Sequence, residues 1–381
     1  MRLLFIFCGV FLLAPLAIAQ TALHHYGNMR LHGEAHLGLH ASFINDAPFE
    51  QKEGLVGFYG ANILEVGGTF APLFQDVEIL RDAPVFVEVP FSVSNNLNFL
   101  QGDFETDRSL SDRYITLLQN AFTVGESNVS KVNGYVTVLN KQRMVFPVGD
   151  ALQYRPVTLE GEVFPFAKCA YFREDPNSPS TFPPFRTDLK PRTVRAISTT
   201  EFWRLEGSST GQVTLSWNME SNLAALSEGD SPIVLIGWNK STQSWIALGA
   251  ESTAGDLENG FLVSPPFVPD QFEILTFASL AEPEEVLTLD NYYLSPNGDG
   301  INDALVIEEL AESPNNNLQV YDRRGLKVFE MENYTDEFRG YSNLDNLVIN
   351  AEKGLPEGVY FYLVKMYDLD LEFQGFLVLD R

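Results

Sequence analysis

The chain has 381 residues, 45% of them hydrophobic, and 51 acidic against 25 basic side chains give a formal charge of −26. Such a balance excludes electrostatic binding to nucleic acid or to an anionic lipid surface. The length is too great for one small domain and suffices for large cores without covalent staples. Acidity spread over a surface chiefly confers solubility and mutual repulsion. Bridging by divalent cations to an anionic surface polysaccharide is the other reading.

The first nineteen residues read as a signal peptide. Met1-Arg2 is a short basic start, and Leu3–Leu16 is apolar but shorter than the ~20 residues of a spanning helix. Ala17-Ile18-Ala19 is a small-x-small cleavage site, which places the mature start at Gln20. Phe7 precedes Cys8 where a lipobox needs a small residue, so no lipid anchor is expected. No later segment is long and apolar enough to form a transmembrane helix. Cys8 leaves with the signal peptide and Cys169 is then alone, without an internal disulfide. It lies in the apolar run Val163–Phe172 and reads as a buried, inert thiol.

Residues 20–150 read as short β segments between Gly and Asn turns, among them Leu55–Tyr59, Ile63–Val66, Val85–Val89, Leu97–Leu100 and Tyr135–Leu139. Many successive short strands suit a β-solenoid or an elongated β domain, although no clean repeat period shows. Leu97–Gly102, Val132–Val136 and Phe146-Pro147-Val148-Gly149 resemble a stretch common in exported Bacteroidota surface proteins, which implies solenoid coils closing onto the Phe-Pro-Val-Gly segment. All five histidines (His24, His25, His32, His36 and His40) fall in this segment. On a helix the last three would share a face and could ligate zinc. The alternation of Leu31, Gly33, Ala35, Leu37 and Leu39 against His32, Glu34, His36, Gly38 and His40 instead predicts a strand. That separates His32 from His36 by roughly 13 Å, too far for one metal.

Residues 151–281 read as an Ig-like β-sandwich. Val157–Leu159, Val194–Leu205, Val213–Trp217, Ile233–Trp238 and Ser244–Leu248 are its strands, broken by the proline-rich loop Asp175–Pro191. It holds all four tryptophans (Trp203, Trp217, Trp238 and Trp245). Exposed, they could stack on sugar rings. Trp217 shares a face with Val213 and Leu215, and Trp238 with Val234 and Ile236, so core packing is the expectation. Gly207-Ser208-Ser209-Thr210-Gly211 matches the hydrolase nucleophile-elbow pattern, but it joins two strand-like runs, and every histidine precedes it. A polar hairpin turn is expected there. Glu284-Glu285 and Glu308-Glu309 are adjacent rather than facing pairs and mark no acid/base dyad. Catalytic residues: none are expected.

Residues 282–287 form an acidic linker, and 282–381 carry 7 basic and 21 acidic side chains. Beyond the linker the landmarks come in a fixed order. Ser295-Pro296-Asn297-Gly298-Asp299-Gly300-Ile301-Asn302-Asp303 opens the segment, then come Val320-Tyr321-Asp322-Arg323-Arg324-Gly325, Tyr334 and Phe338-Arg339-Gly340. Leu355-Pro356-Glu357-Gly358-Val359-Tyr360-Phe361-Tyr362 and Gly375–Arg381 close it. Leu318, Val320 and Val328 alternate with polar positions about the turn Asp322–Gly325, which predicts a hairpin. Tyr360/Tyr362/Val364/Met366 and Phe361/Leu363/Tyr367 predict a central strand with both faces covered, in a small antiparallel β-sandwich.

Residues 286–381 resemble the gliding-motility-associated C-terminal domain, the type B sorting domain of the type IX secretion system. They depart from it at Asp322, Arg324 and Phe338-Arg339, where that family usually has Asn, Trp and Trp-Asp. The resemblance implies a sorting domain over 288–381 read by the type IX translocon, with a PorP/SprF-type outer-membrane protein as a further partner. It implies Pro296, Asn297, Gly298, Asp299, Gly300, Asn302, Asp303, Tyr321, Gly325, Gly340, Pro356, Gly358, Tyr360, Gly375 and Arg381 as the residues that hold or present the signal. Ser295, Asn297 and Asp299 alternate like the first half of a calcium loop, but the twelfth position is Val306 and the bidentate Glu is missing. The other reading is an Asx turn without cofactor. The sequence thus points to a secreted, non-catalytic cell-surface protein concerned with adhesion or gliding motility. The alternative is a polysaccharide-acting hydrolase using the same sorting tag.

Overall fold

The computed structural model describes residues 22–227, 231–281, 291–344, 354–369 and 371–381. The expected signal cleavage at Ala17 and Ala19 and the linker 282–287 lie outside them. The fold is all-β. Among the described residues, helix is confined to four short 3₁₀ turns, the longest being Glu308–Glu312. The chain divides into two compact units, Met1–Leu280 and Ala281–Arg381.

The first unit starts as a β-solenoid. Its strands are β1 (Ala22–His25), β2 (His36–Leu39), β3 (Ser42–Asn45), β4 (Leu55–Gly60), β5 (Leu64–Gly68), β6 (Leu73–Arg81), β7 (Val85–Val87), β8 (Phe91–Gln101), β9 (Phe104–Glu105), β10 (Tyr114–Leu117), β11 (Phe122–Val124), β12 (Val132–Asn133) and β13 (Tyr135–Phe146). One parallel sheet runs β1-β3-β5-β7-β9-β12, and the other runs β2-β4-β6-β8-β10-β13. Each coil supplies a strand to each sheet, and in the longer coil β11 follows β10 along β8 as a second strand of the second sheet. Ala22 pairs with Ser42 and Leu64 with Val85, a coil of roughly 20 residues. Phe104 pairs with Val132, so a longer insertion enters the last coil and blurs the period.

Side chains alternate in and out, and the inward rows stack coil on coil. Leu39, Phe58, Ile79 and Phe99 form one such row, all buried. Phe43, Phe49, Phe58, Phe74, Phe91, Phe99 and Phe104 make a continuous column of aromatic contacts. Phe58 and Phe104 meet edge to face at 5.4 Å, and Phe91 and Phe104 at 5.5 Å. Such edge-to-face pairs add about 0.5–1.5 kcal/mol each beyond their buried area.

The histidine alternation is corrected at its start. His32 lies outside any strand, before a turn in which Ala35 N–H donates to His32 C=O, and the strand begins only at His36. Glycine at 33, with φ 59°, turns the chain there. His25 is buried. Its Nε2 accepts from Met29 N–H, so Nδ1 donates to Asn45 Oδ1 at 2.7 Å.

Strands β14 (Val157–Phe172), β15 (Val194–Ile197), β16 (Phe202–Gly207), β17 (Gly211–Trp217), β18 (Ile233–Asn239), β19 (Ser244–Gly249), β20 (Ser252–Gly255), β21 (Gly260–Val263) and β22 (Phe272–Leu280) are antiparallel. β13 pairs with β14, so the antiparallel layers continue the second solenoid sheet, and both segments fold within one unit. Residues 207–211 do not form the expected hairpin. β16 and β17 both run antiparallel to β14, Gly207 opposite Ala167 and Gly211 opposite Gly161, so they lie end to end along one strand. The long β14 can pair with both in turn, and the polar residues 208–210 are the kink between them. All four tryptophans are buried, as is Cys169, whose thiol burial pushes well above its usual range. A buried ion pair anchors this region. Arg155 donates to Glu201 and, at 2.8 Å, to Ser221 Oγ, while Tyr171 Oη donates to the other Glu201 oxygen at 2.8 Å. Among the described residues, no helix is long and apolar enough to cross a membrane.

The second unit holds β23 (Tyr292–Leu294), β24 (Asn316–Tyr321), β25 (Lys327–Glu332), β26 (Gly358–Met366) and β27 (Leu371–Leu379), in the order β23-β27-β26-β24-β25. The β24–β25 hairpin is as expected, but β23 runs parallel to β27, so the sheet is mixed. Only one face of β26 is buried. Tyr360, Tyr362, Val364 and Met366 pack against Leu305, Leu310, Tyr334 and Phe338 from loops and the 3₁₀ turn, whereas Phe361 is 51% exposed. The second layer is therefore irregular chain among the described residues.

The phenylalanine column yields a stability prediction. Phe104→Ala should lower unfolding free energy by about 3–5 kcal/mol, because its ring contacts with Phe58, Phe91 and Phe99 are lost into a cavity. Urea unfolding of the purified chain measures it, and a loss below about 1 kcal/mol would show that the column does not hold the coils.

Candidate recognition surface of the second unit

The motif residues converge on three places in the second unit. The first is the opening loop. Ser295 N–H donates to Asn302 C=O and closes it. Asp303 then accepts from Gly298 N–H at 2.7 Å and Gly300 N–H at 2.8 Å, one carboxylate oxygen each. These backbone bonds hold the Asp303 carboxyl below the usual carboxylate range, with Arg339 nearby adding to the effect. Gly298 and Gly300 take φ of 81° and 86°, which side chains rarely tolerate.

The side chains of Asn297 and Asp299 make hydrogen bonds within the loop. Asn297 Oδ1 accepts from Asp299 N–H at 2.9 Å, Asp299 Oδ1 accepts from Ile301 N–H at 2.8 Å, and Asn297 Nδ2 donates to Asp299 Oδ2 at 3.1 Å. This is the Asx-turn geometry. No cluster of three His, Cys, Asp or Glu side chains able to hold a metal occurs among the described residues. Beside the loop lies a cleft of about 340 Å³ lined by Tyr292, Tyr293, Asp303 and Arg339. Tyr293 Oη donates to Asp380 at 2.5 Å, and this bond raises the Tyr293 phenol above its ordinary value.

The second place is a cradle for Arg381. Its guanidinium donates to Gly340 C=O at 2.8 Å and sits 4.9 Å from the centre of the Tyr341 ring. A Cβ on Gly354 would collide with that guanidinium at 1.8 Å, so glycine there makes the seat. Leu355 N–H donates to Gly340 C=O, and Tyr360 Oη donates to Pro356 C=O at 2.7 Å, which ties the seat to β26. Burial raises the Tyr360 phenol above its usual range, with smaller contributions from Asp322 and Arg381 of opposite sign. Gly358 opens β26, Gly325 closes the hairpin turn by donating to Asp322 C=O, and Gly375 leaves room for the Tyr362 ring.

The third place is the uncovered face of the sheet. Tyr321, Phe361 and Phe376 stand directly opposite one another across three adjacent strands, with Phe361 51% and Phe376 39% exposed. Both phenylalanines fall inside the landmark runs Leu355–Tyr362 and Gly375–Arg381 but are not among the residues expected to present the signal, and neither is Gly354. The period-two run of outward aromatics is the signal that could reveal the phenylalanines. Gly354 stands outside every recognisable motif.

These residues decide the family of this segment. Residues 287–379 match the CHU_C type IX secretion signal domain. The second unit is a type IX sorting domain. The signal domain supports export by that system to the cell surface or the extracellular space, and with it an interaction with the secretion machinery. No curated protein and no solved structure matches the chain.

The loop gives a pH prediction. A carboxyl whose folded value is depressed stabilises the loop above the ordinary carboxylate range, and that contribution is lost as pH falls through the lowered value. Protection of the Gly298 and Gly300 amides, taken relative to the intrinsic exchange rate at each pH, should therefore be high at neutral pH and fall in acid. Asp303→Asn should speed exchange of both amides at neutral pH, and unchanged exchange in that variant would remove Asp303 from the role.

Proposed function

We propose that the chain is a non-catalytic surface protein in which residues 22–280 act outside the cell, in adhesion or gliding motility, and the signal domain carries them there. The observation that carries this reading is the signal-domain match joined to a separate folded unit of solenoid coils and antiparallel layers. The antiparallel layers are read as an Ig-like module, and the second unit as a sandwich-like fold with one regular sheet.

Several features support a binding rather than a catalytic role. Carboxylates on the solenoid surface are held in side-chain ladders, with Asp76 bonded to Asn95, Glu78 to Asn98 and Asp82 to Gln101. The tryptophans are committed to packing. Export is read as requiring the Arg381 cradle, the Asp303 loop and the row Tyr321-Phe361-Phe376, the last presented to a PorP/SprF-type outer-membrane partner. The loop closes through its own hydrogen bonds and is proposed to work without calcium.

Host cells producing a version without residues 22–281, with the start of the chain and the signal domain kept, test the division of labour. The shortened form should still be exported, while attachment and spreading fall to the level of cells lacking the protein. Normal attachment with the shortened form exported would contradict the adhesive reading.

A further inference from the structure

Outward side chains of the second solenoid sheet fall into straight rows across the coils. One row is Gly38, Gly57, Glu78 and Asn98. Tyr59 lies beside this row, and its ring is laid down on the sheet. A Cβ on Gly57 would sit 2.2 Å from the ring Cζ, and one on Gly38 would sit 3.3 Å from Cδ2. Two successive coils thus lack side chains where the ring rests. The ring is fixed as well as flat. Tyr59 Oη donates to Glu78 Oε1 at 3.1 Å, and Asn98 Nδ2 donates to Glu78 Oε2 at 2.9 Å. The His40 ring stands 5.8 Å away at a tilt of 41°, and Leu80, opposite Tyr59 in register, is 45% exposed.

We propose that this face is a binding track for a neutral, hydroxyl-rich polysaccharide, with Tyr59 as the stacking platform and Glu78 and Asn98 as hydrogen-bonding partners. The chemistry fits that occupant. The negative π-face of an aromatic ring attracts the weakly positive C–H face of a sugar ring. An ionised carboxylate keeps acceptor capacity beyond the two bonds it already makes, which suits donating hydroxyl groups. Glu78 and the neighbouring Asp76 are the charges on these rows between β4 and β8, so a polyanion is disfavoured on a chain already at −26. Strands repeat at about 4.8 Å across the coils, so an extended polymer crossing them meets the Tyr59 ring and the Glu78–Asn98 pair in succession. The row of Glu78 and Asn98 is polar, which suits a hydroxyl-rich occupant.

The inference deepens the adhesive reading and rests on it, yet it is tested without export. The purified full chain is run through gels containing laminarin, hydroxyethylcellulose, galactomannan or alginate. Retardation is expected in at least one of the three neutral gels and not in alginate. Tyr59→Ala should weaken that binding at least about tenfold, and Tyr59→Phe, which keeps the ring, should retain most of it. Unaltered urea midpoints exclude unfolding as the cause, and Glu78→Gln, which preserves shape, gives a second variant expected to weaken binding. Absence of retardation in all neutral gels, equal binding by Tyr59→Ala, or stronger binding to alginate would overturn the proposal. If cells exporting the Tyr59→Ala form attach normally while those lacking 22–281 do not, this site fails and the adhesive reading survives.

Discussion

A solenoid coil cannot bury its own apolar face; it must borrow the next coil to do so. The phenylalanine column from Phe43 to Phe104 is how this chain meets that constraint, since each ring packs on rings of neighbouring coils, mostly edge to face. Parallel pairing fixes the register of the rows, and alternation within each strand then sends the other side chains outward. The ladders of Glu78 and Asn98, and the flat seat of Tyr59, are consequences of that inner packing. A stack of this kind also ends in open strand edges, which invite unwanted pairing. β13 meets this at one end by pairing antiparallel with β14, and the antiparallel layers continue from there.

The start of the antiparallel region carries a fully buried ion pair. Arg155 and Glu201 are both buried, and Ser221, Tyr171 and the Trp203 ring supply further contacts to the pair, while Arg155 Nε has no hydrogen-bond partner. Removing one member of such a pair is far more damaging than never having had it, at about 3–5 kcal/mol.

Much of this was legible from the residues. Strand-length apolar runs located most β elements, and Leu55–Tyr59, Leu97–Leu100 and Tyr135–Leu139 lie in strands. The motif order after Ser295 located the signal domain. What escaped was set by pairing between distant segments. Val157–Leu159 and Val163–Phe172 read as two runs but are one strand, β14, partnered first by β17 and then by β16. The turn from His32 to Ala35 interrupts the strand that the alternation from Leu31 to His40 predicts. Which face of β26 is covered depends on loops from Leu305 to Phe338, and the residues of β26 carry no record of that. The seat of Arg381 joins Gly340, Tyr341 and Gly354, positions that only the fold brings together.

If the second unit is an address and the first unit its freight, the address must work on other freight. The direct measurement is to place residues 281–381 behind a signal peptide and an unrelated, independently folding reporter, in a bacterium that has type IX machinery. The reporter should appear at the cell surface or in the medium, and Phe361→Asp in the graft should leave it in the periplasm. A grafted reporter retained in the periplasm at the level of the untagged one would contradict this division.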